Sequence, residues 1–85
     1  MPLLFAKDAF ASIPHGDAQR LMTKIEWLWT HRRLVNHLPL SANLSEFYKK
    51  RLGKYRIIYT YDDNADELIV RLVDTRDDIY KKARK

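Results

Sequence analysis

The segment that most constrains the fold is a basic stretch in the second half of the chain, Lys49-Lys50-Arg51-Leu52-Gly53-Lys54-Tyr55-Arg56-Ile57-Ile58-Tyr59. The β-branched and aromatic residues after the glycine favour a strand, and Gly53-Lys54 suits a two-residue turn with glycine at its first central position. The stretch predicts a β-hairpin that pairs Leu52 with Tyr55 and places Arg51 opposite Arg56. Like charges that face each other across two strands are destabilising. The pairing therefore indicates a polyanionic partner, most simply a nucleic-acid backbone.

Alternation along the two strands assigns the side chains of this hairpin to two faces. The more apolar face is expected to meet the helices, and it carries Tyr48, Lys50, Leu52, Tyr55, Ile57 and Tyr59. The other face is expected to stay open, and it carries Phe47, Lys49, Arg51, Arg56 and Ile58. A slip of one residue would exchange the faces, so the assignment depends on the turn.

The rest of the chain predicts an α+β domain. Four strands are expected over 2–6, 46–52, 55–62 and 67–74, in a twisted and mostly antiparallel sheet. A short helix over 8–13 and a longer helix after it are expected to form a helix hairpin on one face of that sheet. Residues 36–45 are interpreted as a loop, and 75–83 as a short C-terminal helix or turn.

The longer helix is predicted by its apolar periodicity. Asp17 is expected to be its N-cap, after a break at Pro14-His15-Gly16, and the helix is expected to end near Arg32. Three- and four-residue spacing defines one apolar face, which consists of Ala18, Leu21, Met22, Ile25, Leu28 and Trp29. Trp27 falls on the opposite side and is expected to be exposed.

Length and composition predict one domain over residues 1–85. The chain contains no cysteine, so disulfides and thiolate metal sites are excluded, and a reducing cytoplasm is the expected location. The apolar start of the chain is interrupted by Lys7 and Asp8, which argues against a signal peptide or a membrane span. The net charge is +5, with the basic excess concentrated after residue 48. A solvated basic face is the alternative interpretation of that excess.

The sequence gives no sign of a cofactor or a metal site. His15, His31 and His37 lack metal-ligand spacing. The acidic residues Asp62, Asp63, Asp66 and Glu67 are interpreted as a turn between the last two strands.

Two motifs resemble those of a known family. Tyr55-Arg56-Ile57-Ile58-Tyr59 resembles the third-strand signature of the RelE/ParE superfamily of bacterial toxins, and Arg76-Asp77-Asp78-Ile79-Tyr80 resembles its terminal Arg-x-x-x-Tyr element. The resemblance implies the toxin of a type II toxin–antitoxin pair that cleaves mRNA on the ribosome with the RNA 2′-hydroxyl as nucleophile. It also implies a cognate antitoxin as partner, contact with operator DNA only through that antitoxin, and no membrane.

The resemblance implies roles for individual residues. Lys49 and Arg51 match the basic positions of the second strand, and Arg56 matches the arginine of the third. Arg76 matches the arginine after the fourth strand, and Tyr80 matches a C-terminal tyrosine that stacks on the nucleotide or transfers a proton. Further contacts with the nucleic-acid backbone are expected from Lys50, Lys54, Lys81 and Lys82.

Departures from the family pattern leave alternatives open. Asp74 and Thr75 stand where many members have Gly-His, and Asp74 could pair with Arg76 and weaken the site. Arg51 stands where some members have lysine, so the general base remains unassigned. The alternatives are a ParE-like inhibitor of DNA gyrase and a non-catalytic co-repressor that binds antitoxin and DNA.

Overall fold

One helix packs against a five-stranded mixed sheet in the computed structural model, which describes residues 2–41, 43 and 45–75. The strand order is β1-β5-β4-β3-β2, with β1 parallel to β5 and the other neighbours antiparallel. In chain order the elements are β1 (Leu3–Phe5), α1 (His15–Thr30), β2 (Leu38–Pro39), β3 (Phe47–Leu52), β4 (Tyr55–Asp62) and β5 (Glu67–Asp74). The α+β class is confirmed, whereas the predicted helix hairpin and four-stranded sheet are wrong.

The predicted helix over 8–13 is a series of turns. Ala9, Ala11 and Ile13 each donate a backbone hydrogen bond to the residue three positions earlier, at 3.0 to 3.1 Å. Asp8 adopts a left-handed φ of 64°, which is incompatible with a continuous α-helix. The apolar residues of this segment nevertheless contribute to the core, because Ala9 is buried and Phe10 and Ile13 pack against it.

The start of α1 also differs from the prediction. The helix begins at His15 directly after Pro14, whose carbonyl accepts the amide hydrogen of Ala18 at 2.9 Å. Asp17 is therefore inside the first turn and does not cap the helix. Its carboxylate instead accepts a hydrogen bond from the hydroxyl of Tyr55 on β4. Within the described residues, no helix is long and apolar enough to cross a membrane.

The fifth strand lies in the segment that was expected to be a loop. Leu38 and Pro39 pair with Lys49 and Tyr48 of β3, and the next residue, Leu40, donates its amide hydrogen to the carbonyl of Phe47 at 2.7 Å. A two-residue strand that contains proline gives almost no sequence signal, since proline cannot donate to the ladder.

The predicted β3–β4 hairpin is confirmed in its register and in which side chains face the core. Leu52 pairs with Tyr55, Arg51 pairs with Arg56, and Gly53 has the positive φ of 64° that the first central turn position favours. The main core joins the predicted apolar faces of hairpin and helix, and its buried members include Leu21, Ile25, Leu28, Trp29, Leu52, Tyr55, Ile57 and Tyr59. Trp27 is exposed, as expected.

An ion pair joins the end of α1 to the β4–β5 turn. The guanidinium of Arg32 donates to both carboxylate oxygens of Asp66, from Nε at 2.6 Å and from Nη2 at 2.8 Å. Its Nη1 donates to the carbonyl of Trp29 at 2.8 Å, and Cζ lies 3.7 Å from the centroid of the Trp29 ring. Arg32 thus satisfies a carbonyl at the helix end and fixes the turn, an arrangement stronger than a single exposed contact.

We expect Gly53→Ala to lower the free energy of unfolding by about 1 kcal/mol, because an L side chain is strained at this φ. The added Cβ would also lie 2.9 Å from Nζ of Lys24, although that flexible ammonium can move. Gly16→Ala is the matched control, since it sits in α1 and a Cβ added there would meet no neighbouring atom within 4 Å. It should raise stability by about 0.5 kcal/mol. Urea unfolding measures both, and equal effects would contradict the turn assignment.

The Arg32–Asp66 pair predicts a pH dependence of stability. The hydrogen bonds from Arg32 lower the pKa of Asp66 from 3.8 to about 2. A lowered folded-state pKa stabilises the fold above the unfolded value, and this stabilisation is lost as the pH falls through the folded value. Asp66→Asn keeps a residue that tolerates the left-handed φ of 53°. We expect its Tm to be lower than that of the unchanged protein at pH 7, with a difference that narrows between pH 4 and pH 2.

Asp63→Asn provides the control for the loss of one negative charge. Asp63 is 75% exposed and contacts Arg33 at 3.1 Å, so its removal should change Tm little. A difference for Asp66→Asn that stays constant down to pH 2 would show that the carboxylate charge is not the stabilising feature.

Candidate nucleic-acid interface

The hairpin register brings three of the predicted site residues together. Lys49 pairs with Ile58 and Arg51 pairs with Arg56, so all three cations lie on the sheet face opposite α1. On the next strand, Arg56 pairs with Asp74. A row of two arginines and one aspartate therefore crosses β3, β4 and β5, with Lys49 beside it.

Contacts at the end of β5 orient Arg56. Its Nη1 donates to the carbonyl oxygen of Thr75 at 2.7 Å, while Oδ1 of Asp74 accepts the amide hydrogen of Thr75 at 2.6 Å. Arg56 is half-buried and thus also supports the backbone. Arg51 is more exposed, and its Nε donates to the carbonyl of Gly53 at 3.2 Å.

An apolar cluster covers the middle of this face, which was expected to be open. Leu40 folds over Ile58, with Phe47 and Leu72 packed against them, and Ile58 is fully buried. The covering residue comes from the segment after β2, whose position the strand alternation alone could not reveal. As a result, Lys49 lies beside this cluster, opposite Ile58, and Arg51 and Arg56 lie between the cluster and the hairpin tip.

Charge is separated along the strands. Near the β4–β5 turn, at the end of the sheet away from the hairpin tip, acidic residues line an open depression of about 620 Å³ together with Arg71; they are Glu46, Asp62, Asp63 and Glu67. The tip of the β3–β4 hairpin is basic. A polyanion is therefore attracted to one end of the sheet and repelled by the other.

The other predicted contacts lie elsewhere or outside the described residues. Lys50 is on the face toward α1, opposite Ile57. Lys54 lies in the turn, with Nζ 3.4 Å from Oδ2 of Asp17 and 5.4 Å from the centroid of the Tyr55 ring. The remaining four predicted site residues lie outside the described part of the chain, namely Arg76, Tyr80, Lys81 and Lys82. The same holds for residues 76–83 of the predicted C-terminal helix or turn.

An imidazole–phenol cluster on the helix side was missed by the sequence analysis. Nδ1 of His37 lies 2.6 Å from the hydroxyl of Tyr59, and Nε2 lies 2.8 Å from the carbonyl oxygen of Arg32. Burial raises the pKa of Tyr59 well above its usual value. The rings of Tyr48 and Tyr61 also pack against His37, with centroids 5.3 and 5.2 Å away. The pairing of Tyr48 with Tyr59 was available from the register, whereas the position of His37 was not.

The described residues contain no group of three or more His, Cys, Asp or Glu side chains arranged to hold a metal ion. Asp66, one member of the acidic turn, is instead bound to Arg32.

Comparisons with solved structures agree with this fold. The isolated E. coli RelE toxin superposes with a TM-score of 0.66 at 20% identity, covering 96% of this chain and 93% of that one. The RelBE2 toxin–antitoxin complex of Mycobacterium tuberculosis gives 0.65 at 23% identity, covering 87% and 95%. The RelB–RelE complex of Methanococcus jannaschii gives 0.57 at 25% identity, covering 93% and 96%.

Comparison of the sequence with protein-family models identifies the family more specifically than the fold does. Curated protein sequences give no significant match. A family model described as the ParE toxin of type II toxin–antitoxin systems, parDE, matches residues 6–79. Since the match spans most of the chain and the fold agrees with RelE structures, the chain belongs to the ParE toxin family within the RelE/ParE superfamily.

Proposed function

We propose that this protein is a toxin that cleaves ribosome-bound mRNA. The observation that carries the proposal is the convergence of Lys49, Arg51 and Arg56 on one sheet face. Two guanidinium groups and an ammonium on adjacent strands match a phosphodiester that gains negative charge during reaction. Arg76 and Tyr80 would complete the site from the chain segment that follows β5.

In the proposed reaction the 2′-oxygen of the RNA attacks the adjacent phosphorus. The bond to the 5′-oxygen of the next nucleotide breaks, leaving a 2′,3′-cyclic phosphate and a 5′-hydroxyl. A base must take the 2′-proton and an acid must supply a proton to the leaving oxygen. Arginine stays protonated in proteins, so Arg51 and Arg56 are assigned to charge stabilisation. Lys49 and Tyr80 are the candidates for proton transfer.

Asp74 is part of this proposal because it faces Arg56 across β4 and β5. A carboxylate in the row reduces the positive potential at the phosphate position. It also accepts the Thr75 amide hydrogen, so it shapes the start of the segment that carries Arg76. We infer that Asp74 moderates the site without removing its basic character.

Inhibition of DNA gyrase is the second candidate function. It is favoured by the family match itself, which is to the ParE toxin, and by the carboxylate among the cations. In that case the basic face would serve binding, and no RNA would be cut.

We further propose a cognate antitoxin as a partner. The M. tuberculosis and M. jannaschii structures are toxin–antitoxin complexes of the same fold. Exposed apolar residues on this chain, including Trp27, Leu34 and Leu38, offer surface for such a partner. Co-expression with the adjacent reading frame should yield a complex by size exclusion.

Two assays distinguish the candidate functions. Purified protein is added to a translating extract, and mRNA ends are mapped by primer extension. Cuts at fixed codon positions, which vanish without ribosomes, support the ribonuclease. Intact mRNA together with trapped gyrase–DNA complexes would support gyrase inhibition and reject mRNA cleavage. If both assays are negative, the co-repressor alternative is the interpretation that stands.

Arg76 and Tyr80 test the assigned chemistry. Removal of one preorganised charge-stabilising group costs about 100- to 1000-fold in rate, so we expect that loss for Arg76→Ala in single-turnover cleavage on programmed ribosomes. Tyr80→Phe deletes only the hydroxyl, and a comparable loss would assign it to proton transfer whereas a small loss would assign it to stacking. Ribosome co-sedimentation serves as the binding control. Cleavage by Arg76→Ala at the unchanged rate would reject its role.

Substitution of each of the two facing arginines should affect folding stability and toxicity differently. Arg51→Gln removes one of two like charges and only a long, exposed hydrogen bond to the Gly53 carbonyl, so the free energy of unfolding should stay constant or rise by at most about 1 kcal/mol. Arg56→Gln also removes the bond to the Thr75 carbonyl, and should lower stability by about 1 kcal/mol. Growth inhibition should fall sharply in both. Urea unfolding beside a growth assay decides this, and full toxicity of Arg51→Gln would count against the proposed site.

A further inference from the structure

A second basic surface lies on the helix side of the β3–β4 hairpin tip, and the reaction proposed above does not use it. Arg20 and Lys24 of α1 and Lys54 of the turn line a pocket of about 380 Å³ with four other residues, Asp17, Leu21, Leu52 and Tyr55. We call this the tip pocket. Its floor is apolar, and its ionisable rim carries three cations and one carboxylate.

The single carboxylate of the tip pocket is already engaged. Oδ2 of Asp17 accepts the hydroxyl hydrogen of Tyr55 at 2.5 Å and lies 3.4 Å from Nζ of Lys54. Oδ1 lies 3.5 Å from Nη1 of Arg20. The Tyr55 hydrogen bond is the main cause that lowers the pKa of Asp17, followed by the nearby cations. Lys24 forms no ion pair with any residue that the structure describes, so its charge is available to a ligand.

Gly53 connects the tip pocket to the cations on the other face. Nζ of Lys24 lies 2.9 Å from the position that a Cβ on Gly53 would occupy. From the opposite side of the hairpin, Nε of Arg51 donates to the Gly53 carbonyl at 3.2 Å. Two cations from different faces therefore lie near one residue that has no side chain to separate them.

The charge distribution also restricts the direction of a bound polyanion. A nucleic-acid strand bound by Lys49, Arg51 and Arg56 meets carboxylates if it continues along the sheet toward the β4–β5 turn. Over the hairpin tip it meets the cations of the tip pocket. The path around Gly53 is thus the one that electrostatics favours.

We propose that the tip pocket is a second phosphate-binding subsite for the same single-stranded nucleic acid, which crosses the turn at Gly53. This inference rests on the proposed function, because it extends the strand that the ribonuclease holds. An acidic protein segment is the competing occupant. Cations lie on both sides of Gly53, and this arrangement favours the nucleic acid, because a phosphodiester backbone carries a negative charge at every nucleotide.

Oligonucleotides of two lengths distinguish binding at the basic face from binding at the tip pocket. The probes are fluorescein-labelled 2′-O-methyl oligouridylates of 4 and 12 nucleotides, which resist cleavage because they lack a free 2′-hydroxyl. We expect the double variant Arg20→Gln/Lys24→Gln to bind the 12-mer about tenfold more weakly, with a reduced salt dependence, and to bind the 4-mer as the unchanged protein does. Lys7→Gln/Arg71→Gln is the matched control, because it removes two exposed cations away from the tip.

Three results would overturn the inference: unchanged 12-mer binding by the tip variant, an equal loss in the control, or an equal loss on the 4-mer. Unchanged 12-mer binding together with weaker binding of poly-L-glutamate would assign the pocket to an acidic protein segment instead. The basic face on which the proposed function depends is tested separately by Lys49→Gln/Arg51→Gln, which should weaken binding of both probes. If that variant behaves as expected and the tip variant has no effect, only the second subsite is rejected.

Discussion

The pairing of β3 with β4 around Gly53 is the constraint on which the rest of this structure depends. Since the turn contains two residues, it fixes which side chains lie opposite each other and which face each one occupies. Leu52, Tyr55 and Ile57 are thereby directed to the core under α1, and Arg51 and Arg56 to the opposite face. A shift of one residue in the pairing of these strands would bury the arginines and expose the core.

The Arg32–Asp66 ion pair and the candidate site lie at opposite ends of the sheet. At the β4–β5 turn, Arg32 and Asp66 form a two-pronged ion pair that closes the helix end onto the sheet. At the hairpin tip, Arg51 and Arg56 face each other at a cost in stability. Such a local cost is typical of residues that serve binding or catalysis, and the ordered contacts elsewhere offset it.

The sequence predicted the long strands and the placement of Lys49, Arg51 and Arg56 on one sheet face because these depend on local rules. Alternation and a glycine turn were enough to pair Arg51 with Arg56. The sequence could not show that Leu40 covers Ile58, because that contact depends on where a loop folds. It also could not show that Asp17 bonds to Tyr55, since an aspartate that follows a proline and a glycine also has the features of an N-cap. The tip pocket was missed for the same reason, because its cations come from separate elements.

Two hydrogen bonds determine which ring nitrogen of His37 carries the hydrogen. The Arg32 carbonyl can only accept, so Nε2 must carry a hydrogen, and in the neutral ring Nδ1 then accepts from the hydroxyl of Tyr59. The imidazole is thereby restricted to one tautomer and acts as a polar spacer of fixed length between the end of the helix and the central strand. A phenylalanine would fill the same volume among the tyrosines, yet it would leave a carbonyl and a phenol each without its partner. Shape alone therefore does not define what this position requires.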